Sequence, residues 1–251
     1  MTSLHNICRL SAAAALSLTF AAAAHAAPIY SNGAVVNGSV LSVVVSPDNT
    51  FGWAAQTSSN NTVADDFTVP LGSSWNVQSL SLYSYQTGAT AFSFTTATWR
   101  IISGDVNTGT AVATGTAAVT NEGLVGHRVT NTALTNTQRP IFQIGVDIAD
   151  IELASGSYWL TWNLGGTLGS GPWAVPTVDD VGGNSAQSVS AGAFATIVEA
   201  GSQQNRELAF ALNGVVNTGG NVPEPTSLAL VLAAGLAAAW SRKNAAGRRA
   251  A

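Results

Sequence analysis

The sequence predicts an all-β domain, a two-sheet antiparallel sandwich with a jelly-roll-like arrangement, and three observations lead to that class. Apolar and polar residues alternate with a period of two in several short runs, as they do in strands that bury one face. Turn residues such as glycine and asparagine separate these runs. No helical pattern of about 10–15 residues lies between them, which argues against a parallel α/β fold.

The alternating runs define the expected strands in chain order. One face of each run consists of large apolar residues: Leu80 and Leu82, then Trp99 and Ile101, then Phe142, Ile144, Val146 and Ile148, then Tyr158, Leu160 and Trp162, and finally Leu208, Phe210 and Leu212. Turn signals between the runs include Asn32-Gly33, Ser103-Gly104-Asp105 and Asn213-Gly214. Many short strands in one stretch of this length predict a single sandwich domain over residues 27–216, followed by a linker at 217–221.

Residues 1–26 have the organisation of a secretory signal peptide. Arg9 supplies a positive charge, residues 10–24 form an apolar run, and Ala24-His25-Ala26 match an A-x-A cleavage site. The expected partners of this segment are the Sec export machinery and signal peptidase. The mature chain is therefore expected to begin at Ala27.

A second apolar segment lies near the C-terminus and is predicted to form a single hydrophobic helix. Residues 226–241 would span about 24 Å as a helix, slightly less than the roughly 30 Å hydrocarbon core of a bilayer. Basic residues follow the apolar run and would stay on the cytoplasmic side: Arg242, Lys243, Arg248 and Arg249. As physics alone this describes a marginal membrane anchor, and by composition the run also fits a core helix.

Three features in order at this end resemble the PEP-CTERM protein-sorting signal: Pro223-Glu224-Pro225, then the apolar run, then the basic residues, together over 222–251. The resemblance implies processing near the Pro-Glu-Pro motif by an exosortase, a membrane-embedded protease-transpeptidase. It also implies a Gram-negative bacterium that makes a biofilm or exopolysaccharide, with delivery of the protein to the cell surface or matrix. The membrane contact through residues 226–241 would then be transient.

The prolines of this motif have a physical role of their own. Each proline fixes φ and removes a hydrogen-bond donor, and Glu224 between them is directed toward extended geometry. A protease requires such an extended, unpaired segment. Several blocks of the central region, among them "ADDFTVPLGSSW" and "GSYWLTWNLGG", also resemble β-sandwich domains of secreted bacterial proteins that carry this signal, whose function is largely unassigned.

The charge excludes nucleic-acid binding, and the cysteine content excludes a disulfide in the mature domain. Four arginines and twelve acidic residues between Pro28 and Asn221 give the predicted domain a net charge of −8. Nucleic-acid binding needs a basic footprint, so we expect no nucleic-acid partner. The only cysteine, Cys8, lies in the signal segment, so the mature domain is expected to contain no disulfide.

Catalytic patterns are absent from the sequence of the predicted domain. His127 is its only histidine, which excludes a zinc site built on several histidine or cysteine ligands. No G-x-S-x-G nucleophile motif accompanies it. A glycoside hydrolase needs only two carboxylates, and with twelve acidic residues that alternative stays open as the third choice.

Calcium is the one metal for which the sequence offers candidate ligands, and otherwise no cofactor is expected. Carboxylate and carbonyl oxygens suit calcium, and the candidates are Asp65, Asp66, Asp105, Asp179 and Asp180. No stretch matches the calcium-loop pattern D-x-[DN]-x-[DN]-G. The alternative, which we favour, is that these residues belong to ordinary turns and strand starts.

Tryptophan is the remaining signal. Six tryptophans lie in the predicted domain: Trp53, Trp75, Trp99, Trp159, Trp162 and Trp173. Sugar-binding modules stack flat aromatic faces on sugar rings, and Trp159 and Trp173 are the candidates, because Trp159 lies opposite the core face of its run and Trp173 lies in a Gly/Pro-rich loop. Most tryptophans are nevertheless substantially buried.

These observations lead to an ordered set of functional expectations. The first is a non-catalytic structural protein of the cell surface or extracellular matrix. The alternative is a carbohydrate-binding module for exopolysaccharide, with or without a bound calcium ion that stabilises it. A secreted glycoside hydrolase comes last.

Overall fold

The computed structural model describes residues 26–178 and 182–218. The signal peptide up to His25, the residues Asp179 and Asp180, and the sorting signal lie outside that part of the chain. The strands are β1 (Pro28–Ser31), β2 (Leu41–Val44), β3 (Trp53–Ala54), β4 (Thr62–Val69), β5 (Ser73–Tyr85), β6 (Phe94–Ser103), β7 (Thr110–Ala118), β8 (Thr120–Thr130), β9 (Pro140–Leu153), β10 (Gly156–Gly166), β11 (Trp173–Ala174), β12 (Ala186–Ser188), β13 (Ala195–Thr196) and β14 (Phe210–Thr218). One 3₁₀ turn covers Thr57–Ser59.

The strands form two sheets that face each other. The first sheet has the order β1-β14-β5-β9-β8-β2, with β11 joining β5 and β3 joining β11, and the second has the order β13-β12-β4-β10-β6-β7. The predicted all-β fold with two antiparallel sheets is confirmed. One pair departs from it, because β2 runs parallel to β8 with Leu41 opposite His127.

The period-two pattern correctly predicted which residues face the space between the sheets. Leu80, Leu82, Ile144 and Val146 of the first sheet are fully buried and pack against residues such as Trp162 of the second. Such burial contributes roughly 1.5–3 kcal/mol for each large apolar side chain. This shared core holds the two sheets together.

A smaller apolar cluster covers one end of the outer face of the first sheet. Its buried members are Val35, Tyr85, Ile141, Val175 and Ala209, and they explain why Tyr85 and Ala209 are buried although they alternate with core residues. Polar side chains lie elsewhere on that face, among them Ser81 of β5, Gln143 of β9 and Asn213 of β14. It is there that the largest groove described below lies.

The described part of the chain contains no helix long and apolar enough to cross a membrane. The predicted span at residues 226–241 lies outside the described residues. At the C-terminal boundary, β14 continues to Thr218, two residues into the segment predicted as a linker.

Candidate functional sites

The two candidate sugar-stacking tryptophans lie on different sheets. Trp159 is on β10 of the second sheet and Trp173 on β11 of the first. Both are half-buried: Trp159 packs on the cluster around Val106, and Trp173 packs on the cluster around Tyr85. They therefore do not share one sheet face, and their sugar-stacking role stays a prediction.

The calcium candidate Asp105 serves a turn. Its Oδ1 accepts hydrogen bonds from the backbone nitrogens of Asn107 and Thr108, each at 2.9 Å. These bonds and a third from the Thr108 hydroxyl lower the pKa of Asp105. Asn107 bonds the backbone of Phe194 in both directions, so this loop is tied to the segment that precedes β13.

The structure brings the candidates Asp65 and Asp66 together with Glu207, which the sequence did not single out. One carboxylate oxygen from each of these residues lies within 4.8 Å of the others. Asp65 lies two residues from each of the core residues Val63 and Phe67 on β4 and shares their face, so its side chain points between the sheets. It is fully buried, which makes it an acidic group in the apolar interior.

Asp65 is held by donors from three distant segments. Its Oδ2 accepts from Asn32 Nδ2 at 2.6 Å, from the Ser185 hydroxyl at 2.7 Å and from the Leu208 backbone nitrogen at 2.7 Å. Asn32 Nδ2 also lies 3.1 Å from Glu207 Oε2 and thereby bridges the two acids. The turn signal at Asn32-Gly33 predicted only the turn, not this bridging role.

Burial sets the protonation of this cluster. It raises the pKa of Asp65 to about 9, an effect that the adjacent Glu207 reinforces. The pKa of Asp66 is raised as well, first by burial and further by Glu207. The only ion pair among the described residues joins Arg206 to Asp48, so no described base neutralises the cluster.

Two chemical roles are open to three carboxyl groups at this spacing. A proton on Asp65 relieves their repulsion, and so does a cation bound by their oxygens. The raised pKa of Asp65 favours the proton at neutral pH. A hydrolase would need the protonated acid to reach a glycosidic oxygen, whereas Asp65 has no exposed surface.

Glu199 is a second acidic group, and its pKa is shifted in the opposite direction from that of Asp65. Its carboxylate accepts from the backbone nitrogens of Asn49 and Thr50 on one oxygen and of Gly201 and Ser202 on the other, at 2.5–2.8 Å. Burial works against ionisation, but these donors prevail and lower the pKa of Glu199 to about 2. The charged carboxylate thus joins its own loop, at Gly201 and Ser202, to the loop at Asn49 and Thr50.

A buried arginine lies beside this carboxylate. The guanidinium of Arg128 donates to the backbone oxygens of Phe51 and Thr50 and to the Ser42 hydroxyl. Burial lowers the pKa of Arg128 to about 10, which leaves it charged at neutral pH. It borders a cavity of about 200 Å³ that also contacts Glu199 and the Arg206–Asp48 pair. Each of these charged groups has a hydrogen-bond or ion-pair partner in the fold.

A larger groove, of about 550 Å³, opens on the polar part of the outer face of the first sheet. Four strands contribute to it: Asn213 from β14, Ser81 from β5, Gln143 from β9 and Glu122 from β8. Residues 26–28, which include the predicted new N-terminus, form part of its wall. The sequence signal for this groove was the polar face of β9, where Gln143 and Gly145 alternate with the core residues.

No family model, no curated protein and no solved structure matches this chain.

Proposed function

We propose that this chain is an exported protein of the cell surface or extracellular matrix, sorted and processed by an exosortase, with a non-catalytic structural role for its sandwich. The position of the fold along the chain supports this. β1 begins at Pro28, directly after the predicted cleavage at Ala26, and β14 ends at Thr218, before Pro223-Glu224-Pro225. Removal of both predicted signals would leave every described strand in place.

The first and the last described strands are neighbours in the fold. β1 pairs with β14, and the backbone oxygen of Ala27 accepts a hydrogen bond from Gly214 at 3.0 Å. The chain therefore enters and leaves the sandwich on neighbouring strands. In the proposed route, residues 226–241 hold an inner-membrane intermediate with Arg242 and Lys243 on the cytoplasmic side, until cleavage near the motif releases the domain.

Mass spectrometry of the protein recovered from the outside of its native cells tests this route. We expect an N-terminus at Ala27 and no peptide from 228–240. A variant with Pro223→Ala and Pro225→Ala should remain in the inner-membrane fraction, whereas Asn221→Ala, two residues before Pro223, should be processed normally. An intact C-terminus on surface-located protein would refute the proposal.

The alternative function, a carbohydrate-binding module, is favoured by one specific observation, the polar groove on the first sheet. Its side chains are the hydrogen-bonding groups that sugar hydroxyls require, and their arrangement is developed below. The hydrolase alternative has weaker support, because the acid with the raised pKa is inaccessible to a polymer chain.

A further inference from the structure

The polar side chains of the outer groove are fixed by one another before any ligand arrives. Gln143 Nε2 donates to Glu122 Oε2 at 2.7 Å and to the Ser81 hydroxyl at 3.3 Å. Asn213 Nδ2 donates to the same hydroxyl at 3.1 Å, and Ser81 donates to Glu122 Oε2 at 3.1 Å. Every donor in this row is thus used internally, which reduces the entropy that a ligand must overcome.

Three acceptor oxygens of the row receive no hydrogen bond from the described residues: the second carboxylate oxygen of Glu122, Oε1, and the amide oxygens of Gln143 and Asn213. None of the three is among the described side-chain atoms that are both buried and without a partner, so each keeps some contact with solvent. The groove therefore presents three fixed acceptors to solvent. A ligand that fits it must supply donors.

Gly145 on β9 makes room for the most strongly accepting of these groups. A Cβ added at Gly145 would lie 2.4 Å from Glu122 Oε1 and 2.4 Å from Thr120 Oγ1, closer than such atoms can approach. The carboxylate consequently lies against the backbone of β9 only because this position is glycine. A carboxylate accepts stronger hydrogen bonds than a neutral oxygen, so this corner should dominate binding.

The size of the groove points to the ligand class. Asn213, Ser81, Gln143 and Glu122 lie on four successive strands, and hydrogen bonds of 2.7–3.3 Å draw their polar atoms into one cluster on the groove wall. The groove extends well beyond a single small cation beside that cluster, so it has room for a larger ligand. The groove volume of about 550 Å³ lies within the roughly 300–1,000 Å³ of small-molecule sites.

We propose that this groove binds a short stretch of a neutral, hydroxyl-rich carbohydrate chain, whose hydroxyls donate to Glu122, Gln143 and Asn213. The proposal deepens the carbohydrate-binding alternative and does not depend on processing at Pro223-Glu224-Pro225. It places the sugar-binding site in this polar groove and not at Trp159 and Trp173. Ala26 lines the same groove, so removal of the signal peptide would also widen one end.

Isothermal titration calorimetry on purified protein tests the groove, with two forms compared: the full chain and the surface-recovered chain. The probes are neutral oligosaccharides from glucan, xylan, mannan and galactan, the acidic polymer alginate, and the polyamine spermidine. We expect at least one neutral oligosaccharide to bind, and Glu122→Gln to weaken it at least tenfold. Gly145→Ala should weaken it comparably by displacing the carboxylate.

Glu152→Gln is the matched control, because Glu152 is an exposed acid on the same sheet that accepts from Asn76 outside the groove. It should bind the oligosaccharide as the unaltered protein does, and thermal unfolding should show that all variants are folded. The proposal is overturned if no neutral oligosaccharide binds, if Glu122→Gln binds equally well, or if spermidine alone binds. Since binding is measured on purified protein, failure of the sorting proposal would leave this result unaffected.

Discussion

Replacement of Asp65 by asparagine would reveal whether this buried group carries a proton in the folded protein. An aspartate in an unfolded chain titrates near pH 3.9, whereas burial and the neighbouring Glu207 raise the pKa of Asp65 to about 9 in the fold. Between these values the folded state binds one proton more than the unfolded state. The free energy of unfolding should then fall by about 1.4 kcal/mol for each pH unit gained.

The sign of the effect follows directly. The stabilising contribution of protonated Asp65 is complete below about pH 4 and is lost as the pH rises toward the folded-state pKa. From pH 5 to pH 8 it accounts for a loss of up to about 4 kcal/mol. Asparagine has no proton to lose, so the Asp65→Asn variant should lack this component, and only the smaller effect of Asp66 should remain.

Urea unfolding at pH 5, 6, 7 and 8 measures the difference. Asp105→Asn is the control, since Asp105 is exposed and its pKa is lowered, so it is ionised in both states throughout this range. Its unfolding free energies should parallel those of the unaltered protein. Parallel curves for Asp65→Asn as well would show that Asp65 is ionised in the fold and would refute the reasoning.

Three further predictions follow from the described contacts. Because a proton is expected to neutralise the acidic cluster, excess EDTA should leave the melting temperature unchanged; a decrease would instead support the calcium candidates Asp65 and Asp66. Glu199→Gln should lower the free energy of unfolding by about 2 kcal/mol at pH 7, because hydrogen bonds to charged acceptors contribute about 1.5–3 kcal/mol. The ionised carboxylate stabilises the fold only above its lowered pKa, so this loss should vanish as the pH falls toward 2 in urea titrations. Trp162→Phe should cost less than Leu160→Ala, which is expected to lose about 2–5 kcal/mol, because the buried Trp162 Nε1 has no partner among the described residues; equal losses in chemical denaturation would contradict this.

The alternation of residues predicted the core because a strand places successive side chains on opposite faces whatever its neighbours are. Phe142, Ile144 and Val146 could therefore be assigned to one face from the sequence alone. Tyr85 and Ala209 could not be predicted as buried, because the residues that cover them, Val35 and Val175 among others, come from distant loops.

The acidic cluster shows the same limit more sharply. Asp65 and Asp66 were candidates through their own positions, but Glu207 lies more than 140 residues further along the chain and Asn32 lies in the turn after β1. Only closure of the two sheets brings these groups together. No local pattern records which carboxyl group will be buried, and the raised pKa is a property of that closure.

The short interval between the last strand and the proline motif limits how far the sandwich can stand from its attachment point. Four residues lie between Thr218 and Pro223, and over these five steps a fully extended chain advances at most about 3.5 Å per residue, or about 17 Å in total. A domain attached near the proposed processing site would lie close against whatever holds it. Such a protein would form part of a layer close to the attachment point and would not extend away from it on a long linker.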